Sequence, residues 1–477
     1  MKTQKFQIFT INTTIMTLLI SLCNNYLIIP FTIKNPTIKM KNNLIDASEY
    51  LEYIKKSLIA TKIYTGTPEK ETEIYLTMET YDFFLGKGFC LQNSNSLYYP
   101  SSSSTYKKDQ YVTISSPFFS NGSKCEDNFT FYNNLNLTKN NSIDQINFLY
   151  GIASNELFNI IYPDLICGYF GLQFTLSTDL LEYHSIIYQL KSRSKIKNKY
   201  WSVIFYDDKE EKINNYDGVL VIGINQSDYE TFFNSEDYNI THSVEYGIKN
   251  RYWEIKFNEI YYYNNKQNYS FFTDIYSQIV IDYNYIICNE DYFNSILNIF
   301  FNKYIEKGIC FIDKNETSRT GKKKDQLINI IICDKNKFKD KKKFPTLYFK
   351  LVDFYTIFEF DYKDLFQEIG NSLVFSIVFD EENKSHWTLG RIFLKKYQFI
   401  FDNDQRIITY IKKNKIKKED NKKNNFNIVI FLKLMLIAFL LIGFGAGIIL
   451  GKKLWDKNRK KRANELTDDD YDYQVNN

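Results

Sequence analysis

Short runs of alternating apolar and polar residues recur along most of the chain, from about residue 63 to residue 410. The runs are rich in β-branched and aromatic side chains and end at Gly, Asn, Asp or Ser, which is typical of strands. Examples are IYLTM, YWSVIFY, GVLVIG, YWEIKF, QIVIDYNYII and FSIVFD. The clearest amphipathic helix, with apolar residues every three to four positions, is Asp291–Lys307. The pattern therefore predicts an all-β architecture with minor helices.

Two longer apolar segments lie near the ends of the chain. Residues 1–23 carry two lysines followed by an apolar stretch, which is the shape of a signal peptide. Near the other end, Ile428–Leu450 gives 23 residues with a single charge, Lys433. A bilayer core needs about 20 apolar residues in a helix, so this segment predicts one C-terminal transmembrane helix. Lys433 lies near its outer end, where the side chain can reach the headgroups.

A signal peptide followed by one late span predicts a single-pass type I membrane protein with a cytosolic tail, residues 451–477. Lysines flank the span on both sides, so the charge bias alone does not fix the orientation. After the predicted signal peptide, nine N-x-S/T sequons agree with this topology, because all of them precede the span. They begin at Asn121, Asn128, Asn136, Asn140, Asn225, Asn239, Asn268, Asn315 and Asn383. The ectodomain is then expected in the secretory or endolysosomal lumen or at the cell surface, where its six cysteines are disulfide candidates.

Composition narrows the classes of function. With 60 basic and 56 acidic residues the net charge is +4, and the aromatic residues lie in strand-like runs instead of alternating with basic patches, so no nucleic-acid partner is predicted. The chain has no CxxC pair and three histidines, so we predict no metal site and no cofactor. A GxSxG motif is absent and the histidines lie outside recognisable motifs, so Ser/His/Asp catalysis is not supported.

Eight segments, in order from residue 66 to residue 402, resemble the landmarks of pepsin-type aspartic peptidases. They are Gly66-Thr67-Pro68, Asn95–Lys107, Cys167–Gln173, Ser185–Ile204, Asp217–Gly223, the YWEIKF run around Trp253, Phe344–Phe349 and Trp387–Asp402. A single match of this kind would carry little weight. Eight matches in the family order identify the chain as similar to a membrane-anchored member of that family.

The resemblance implies a bilobed pepsin-like domain, residues 61–412, with an N-lobe of about 61–240 and a C-lobe of about 241–412. A cleft between the lobes is then expected to bind a peptide or protein. Residues 24–60 take the place of a pro-segment or N-terminal extension, and 413–427 that of a stalk. The resemblance also implies a Cys310–Cys333 disulfide and a bridge from Cys90, with Cys125 as its expected partner. The pairing of Cys167 and Cys288 stays open.

In this family each lobe supplies one Asp-Thr/Ser-Gly loop, and the two aspartates share a proton across a water molecule. Counting forward from Gly66 and backward from Cys90 places Thr77-Met78-Glu79 on the first loop, so Thr77 stands where the first aspartate is expected. A threonine hydroxyl cannot serve as a base at neutral or acidic pH. The second loop reads Asp282-Tyr283-Asn284, which gives Asp282 as the second aspartate.

Other positions of these motifs also depart from the family pattern. Asn284 stands for a glycine and tolerates a left-handed backbone better than most residues. Tyr283 replaces a small Thr whose hydroxyl braces the partner loop in the family. Phe119–Ser123 (FSNGS) is expected to form the flap over the cleft, with Phe119 in place of the flap tyrosine.

Three hypotheses of function follow. The first is a catalytically inactive pseudopeptidase that binds peptides or proteins in its cleft. The second is an active aspartic-type endopeptidase of the secretory or lysosome-like pathway, which requires Glu79 or another acid to replace the missing carboxyl group. The third is a glycosylated cell-surface adhesion protein with an unrelated β-sandwich, which a different partner for Cys310 or Cys333 would favour.

Overall fold

The computed structural model describes most of the chain between residues 26 and 411. The described residues are 26–35, 45, 50, 53, 57–80, 82–86, 98–112, 119–132, 139–153, 168–173, 185–206, 216–224, 241–245, 253–264, 267–317, 326–351, 357–380, 386–411, 455 and 458. The predicted signal peptide, stalk and spanning helix lie outside these ranges, as do Cys90 and Cys167. Within the ranges, no helix is both long and apolar enough to cross a bilayer.

Strands dominate the described residues, which confirms the all-β prediction. They are β1 (Leu27–Lys34), β2 (Leu58–Thr65), β3 (Lys70–Thr77), β4 (Phe83–Gly86), β5 (Lys107–Val112), β6 (Phe119–Tyr132), β7 (Lys139–Ala153), β8 (Gly168–Gly171), β9 (Tyr200–Phe205), β10 (Gly218–Ile222), β11 (Thr241–Glu245), β12 (Glu254–Asn264), β13 (Gln267–Ile279), β14 (Ile286–Asn289), β15 (Cys310–Thr317), β16 (Gln326–Asp334), β17 (Leu347–Leu351), β18 (Ile357–Phe360), β19 (Phe366–Ile369), β20 (Ser372–Phe375), β21 (Ile377–Asp380), β22 (His386–Leu389), β23 (Gln398–Asp402) and β24 (Ile407–Ile411).

The helices of the described residues are short. They are α1 (Ile186–Ser192), α2 (Phe293–Ile296), α3 (Asn302–Glu306), α4 (Tyr362–Leu365) and α5 (Arg391–Lys396), with 3₁₀ turns at Pro100–Ser102, Glu290–Tyr292 and Lys339–Lys343. A π-helical segment, Leu297–Phe301, joins α2 to α3. The predicted amphipathic helix Asp291–Lys307 is therefore confirmed, as one continuous helical stretch of mixed type.

The described strands form two sheets. The first has the order β11-β24-β23-β9-β10-β1-β2-β3-β8-β4-β7-β6-β5, and the second the order β18-β17-β12-β13-β22-β14-β21-β16-β20-β19 with β15 beside β16. Because β2 pairs with β6 as well as with β3, six strands of the first sheet (β2-β3-β8-β4-β7-β6) close into a barrel. Closure leaves these strands with fewer unpaired edges.

One local topology occurs twice in the chain. In the first half β3 runs parallel to β8, β8 antiparallel to β4, and β4 parallel to β7. In the second half β13 runs parallel to β22, β22 antiparallel to β14, and β14 parallel to β21. Parallel neighbours need long crossover connections, so a repeated parallel pattern is not a product of simple hairpins. The loops that follow β3 and β13 consequently occupy equivalent places in the two halves.

An aromatic cluster joins the two halves in the core. The rings of Trp201 and Phe401 are stacked with centroids 4.2 Å apart, and Trp253 lies 5.1 Å from Phe401. Trp253 also donates a hydrogen bond from its indole nitrogen to the carbonyl oxygen of Leu172, 3.2 Å away. Leu172 follows β8, beside the loop after β3. A buried residue of the second half thereby anchors the first half close to that loop.

The predicted pro-segment or N-terminal extension contains a strand of the first sheet. β1 lies between β10 and β2, and its Leu27, Ile29 and Phe31 side chains are buried. Further along, Ile45 and Tyr50 are buried against residues of the second half such as Ile287. Burial of this much apolar surface contributes to stability in proportion to its area. The described part of residues 24–60 is therefore built into the fold.

The cysteines follow the sequence predictions in part. Cys310 and Cys333 are directly opposed on β15 and β16 and form a disulfide, as the resemblance implies. The expected bridge from Cys125 to Cys90 is wrong, because Cys125 is a free, buried thiol. Its sulfur faces the core of the barrel and lies 3.1 Å from the hydroxyl of Tyr106. Cys288 is also a free thiol, and it is fully buried.

Candidate active site

The structure brings the two predicted site residues, Thr77 and Asp282, into direct contact. Thr77 is the last residue of β3 and is fully buried, whereas Asp282 lies in the loop after β13 and is partly exposed. The Thr77 hydroxyl hydrogen-bonds the Asp282 carboxylate. The backbone N–H of Met78 donates to Oδ2 of the same carboxylate, at 2.9 Å. A hydroxyl therefore faces the aspartate at the position where the resemblance to the peptidase family implies a second carboxyl group.

The first loop is closed largely by its own side-chain hydroxyl groups. The Glu79 backbone N–H donates to Oγ1 of Thr77 at 3.1 Å. The Asp82 backbone N–H donates to Oγ1 of Thr80 at 3.1 Å, and that hydroxyl donates back to Oδ2 of Asp82 at 3.2 Å. Small hydroxyl side chains commonly satisfy nearby backbone donors in turns. Thr77 and Thr80 thus hold the turn without the glycine that the family motif has at Glu79.

A third hydrogen bond crosses between the loops, in the opposite direction. The Tyr283 hydroxyl donates to Oε1 of Glu79 over 2.6 Å, a short bond typical of a charged acceptor. The sequence suggested that the bracing hydroxyl of the second loop was lost with the change to Tyr283. The structure shows that the longer tyrosine side chain reaches the partner loop and bonds it at a different residue.

The environment of Asp282 favours its neutral form. Burial raises the pKa of its carboxyl group to about 7, and the nearby charge of Glu79 acts in the same direction. The Thr77 hydroxyl, the Met78 backbone N–H and the positive charge of Arg391 act in the opposite direction, because each stabilises the ionised form. Asp282 consequently keeps its proton across the acidic pH range.

Sequence reasoning missed Arg391 as part of this environment. It begins α5, directly after the Leu-Gly of the WTLGR segment, where the family pattern has an aspartate. Its side chain is fully buried and donates from Nη2 to the carbonyl oxygen and the hydroxyl of Ser57, at 2.8 and 2.9 Å. The sequence did carry a signal for this role, namely an arginine where the family pattern has an aspartate. A buried arginine needs several hydrogen-bond acceptors, so it binds the elements around it.

The second loop is braced from outside. The Arg391 backbone N–H donates to the Tyr283 carbonyl oxygen at 2.7 Å, and Nε2 of Gln367 on β19 donates to the Asn284 carbonyl oxygen at 2.6 Å. The Asn284 amide in turn donates to Oε1 of Gln367 at 3.4 Å. Asn284 is not among the described residues with a left-handed backbone, so its side chain serves as a hydrogen-bonding group instead of relieving backbone strain.

Gly390 allows this bracing because it lies against the second loop. A Cβ atom at this position would lie 2.1 Å from the Tyr285 carbonyl oxygen and 2.4 Å from the Tyr283 carbonyl oxygen. Real Cβ atoms do not approach oxygen so closely, so glycine is required here by contact and not by its backbone angles.

The predicted flap, Phe119–Ser123, forms the beginning of β6 and pairs with β7. The side chain of Phe119 lies outside the described part of the structure, so its place relative to Asp282 stays a prediction. Among the described residues, no group of three or more His, Cys, Asp or Glu side chains is arranged to hold a metal ion.

The site therefore contains one carboxyl group whose pKa is raised, Asp282, a facing hydroxyl, Thr77, and a second acid, Glu79, bonded to Tyr283. Such a set can bind polar groups of a ligand by donating and accepting hydrogen bonds. No protein-family model matches the chain, and the comparison with curated proteins finds no match.

Proposed function

We propose that this protein is a membrane-anchored, catalytically inactive relative of the pepsin-like aspartic peptidases, which binds peptides or proteins in a cleft between its two halves. The observation that carries the proposal is the Thr77 hydroxyl, which faces the Asp282 carboxylate where the reaction needs a second carboxyl group. The remaining proposal, a type I topology with a lumenal or cell-surface ectodomain, rests on residues 1–23 and 428–450.

Three features support the relationship to that family. The topology around the two loops is duplicated, as expected of a chain with two similar lobes. The loops meet at the residues that the motif alignment selects, Thr77 and Asp282. Cys310 and Cys333 are paired as the resemblance implies. The Cys310–Cys333 pairing also argues against the adhesion-protein hypothesis, which a different partner would have favoured.

The chemistry explains why binding is proposed without cleavage. Hydrolysis by this mechanism needs one ionised carboxylate to take a proton from water while a protonated partner assists the carbonyl oxygen. A hydroxyl cannot take either role near neutral or acidic pH, because its pKa is far too high. With the pKa of Asp282 near 7, the pair is neutral in acidic compartments and cannot activate water.

A cleavage assay tests the proposal directly. The full chain, purified in detergent from secretory cells, is incubated with a mixed peptide library from acidic to neutral pH, beside Asp282→Asn as the matched control. We expect both proteins to give the same background, and peptides to be retained on the immobilised protein. Pepstatin-sensitive cleavage that is present in the wild type and absent from Asp282→Asn would overturn the proposal.

The alternative, an active aspartic-type endopeptidase, is favoured by one observation, the electrostatic influence of Glu79 on Asp282. Two acids that interact in this way can in principle share a proton. The alternative predicts that Glu79→Gln abolishes cleavage as completely as Asp282→Asn. Tyr283→Phe would separate the roles, because it releases the Glu79 carboxylate without removing an acid.

A further inference from the structure

Three tyrosines form an aromatic surface on the second sheet, which we call the tyrosine face. Tyr261 and Tyr263 lie two residues apart on β12, and Tyr348 lies opposite Tyr261 on β17. The rings of Tyr261 and Tyr348 are stacked with centroids 5.1 Å apart. Tyr263 meets both rings edge-on, at 5.5 and 5.2 Å, and about half of its surface (51%) is exposed. The tyrosine face thus ends in one exposed ring held by two others.

A glycosylation sequon, Asn268-Tyr269-Ser270, lies across the hairpin from this surface. In the register of β12 and β13, Asn268 is directly opposite Tyr263, and Ser270 is directly opposite Tyr261. Directly opposed residues of an antiparallel pair occupy the same face of a sheet, with Cβ atoms roughly 5 Å apart. In the backbone register, both sequon positions that the modification needs are therefore paired with residues of the tyrosine face, and Ser270 is exposed.

We propose that Asn268 carries an N-linked glycan whose first sugar lies on the ring of Tyr263. In the modification, Nδ2 of the asparagine forms a bond to C1 of the sugar of a lipid-linked oligosaccharide diphosphate. The C1–O bond to the donor breaks, the lipid diphosphate leaves with the bonding electron pair, and Nδ2 loses one proton. The proposal depends on the secretory route of the ectodomain and not on whether the site cleaves peptides.

The tyrosine face is suited to hold a sugar ring. A pyranose presents a face of C–H groups that covers an aromatic ring, and its hydroxyl groups remain in water, so apolar surface is buried at little polar cost. Tyr263 is already positioned, because its hydroxyl hydrogen-bonds that of Tyr261 and its ring packs on Tyr348. A preorganised ring loses little further side-chain freedom when a sugar binds to it.

The Asn128 sequon has the opposite character. Its Oδ1 accepts a hydrogen bond from the backbone N–H of Gln145 at 3.1 Å, so the amide is part of the β6–β7 pairing. The third residue, Thr130, is buried and donates to Oε1 of Glu69 at 2.5 Å. A glycan on Asn128 would disrupt these contacts. Asn128 is therefore the internal control, a sequon that the folded protein is expected to leave unmodified.

Glycopeptide mass spectrometry of the full chain, purified from secretory-competent eukaryotic cells, tests the modification. We expect Asn268 to be occupied and Asn128 to be unmodified. The matched variants Asn268→Gln and Ser270→Ala remove the same sequon through different side chains, so each should lose the mass of one glycan. An unoccupied Asn268 overturns the proposal, whether or not other sequons are filled.

Thermal unfolding tests the contact with Tyr263. Both sequon variants should lower the Tm equally, by roughly 2 °C. Tyr263→Ala keeps the glycan acceptor Asn268 but removes the ring on which the sugar lies. Adding Asn268→Gln to Tyr263→Ala should therefore lower the Tm no further than Tyr263→Ala alone. Enzymatic deglycosylation should lower the Tm of the folded wild type by roughly 2 °C more than that of Asn268→Gln, because the two proteins share every other sequon. Additive losses, or equal Tm shifts of the wild type and Asn268→Gln on deglycosylation, would show that the sugar does not rest on the tyrosine face.

Discussion

The loop after β3 and the loop after β13 occupy equivalent places in two similar halves, yet they are stabilised in different ways. The first loop is closed by its own hydroxyls, with Thr77 accepting from the Glu79 N–H and Thr80 from the Asp82 N–H. The second loop depends on distant elements, through hydrogen bonds to the carbonyl oxygens of Tyr283 and Asn284.

The comparison separates the structural role of a loop residue from the chemical role that the proposed function considers at its position. In the first loop Oγ1 of Thr77 accepts the turn hydrogen bond that a carboxylate oxygen could accept. The turn therefore forms with a hydroxyl at this position, and its hydrogen bond does not require an acid there. In the second loop Asp282 accepts from Met78 and Thr77, so its carboxylate also joins the two halves. Under the proposed function, the aspartate of the second loop is therefore useful for folding even where the first loop supplies no acid.

The largest effect is expected at Gly390, which only the second loop depends on. Gly390→Ala places a Cβ atom 2.1 Å from the Tyr285 carbonyl oxygen, so the loop or α5 must move. We expect the free energy of unfolding to fall by about 3 kcal/mol or more in urea denaturation. Gly308→Ala is the control, because Gly308 has a left-handed backbone but open space around it, and should cost about 1 kcal/mol. Equal losses at the two glycines would contradict the close-contact argument.

The hydrogen bond from Tyr283 to Glu79 is expected to rank second. Tyr283→Phe removes the donor and Glu79→Gln removes the charge of the acceptor, so each should lower the free energy of unfolding by about 1 kcal/mol. Because the two groups form one contact, the double variant should lose less than the sum of the single losses. A double-mutant cycle with no coupling energy would mean that the loops do not support each other through this bond.

The third effect is a pH dependence caused by Asp282. Its pKa is about 7 in the folded protein and about 4 in an unfolded chain, so the folded state binds more protons between these values. Stability should therefore be greatest below about pH 4 and decline as the pH rises to about 7, by at most about 1.4 kcal/mol per unit. Asp282→Asn, which can still accept from the Met78 N–H, should flatten this part of the curve in urea denaturation.

A matched variant refines the pH prediction. Glu79→Gln removes the negative charge that raises the pKa of Asp282, so the decline should shift to lower pH without disappearing. An unchanged profile in Asp282→Asn would assign the pH dependence to other groups.

Local apolar–polar patterns predicted the strands, and the resemblance to the peptidase family singled out Thr77 and Asp282 as the residues of two loops that face each other. The sequence did not predict Gln367 or Arg391, because residues that brace a loop from 83 and 108 positions away along the chain leave no periodic signal. The error at Cys125 has the same origin. Cysteine spacing does not reveal which face of a strand is buried, and β6 turns this thiol toward Tyr106.

The smallest effects should show which loop is the more independent. Thr80→Val leaves the Asp82 N–H without its hydroxyl acceptor, and Gln367→Met leaves the Asn284 carbonyl oxygen without its amide donor. Each should lower the free energy of unfolding by up to about 1 kcal/mol. The two variants should then differ in how much of the chain shows faster amide hydrogen exchange. Thr80→Val should accelerate exchange only within the first loop, because that loop is closed by its own groups.

Gln367→Met should accelerate exchange both in the second loop and in β19, because the hydrogen bond joins the two elements. If Thr80→Val also accelerated exchange in β8 or beyond, the first loop would not be self-supporting. The persistence of its turn without a carboxylate would then need a cause other than the hydroxyls of Thr77 and Thr80.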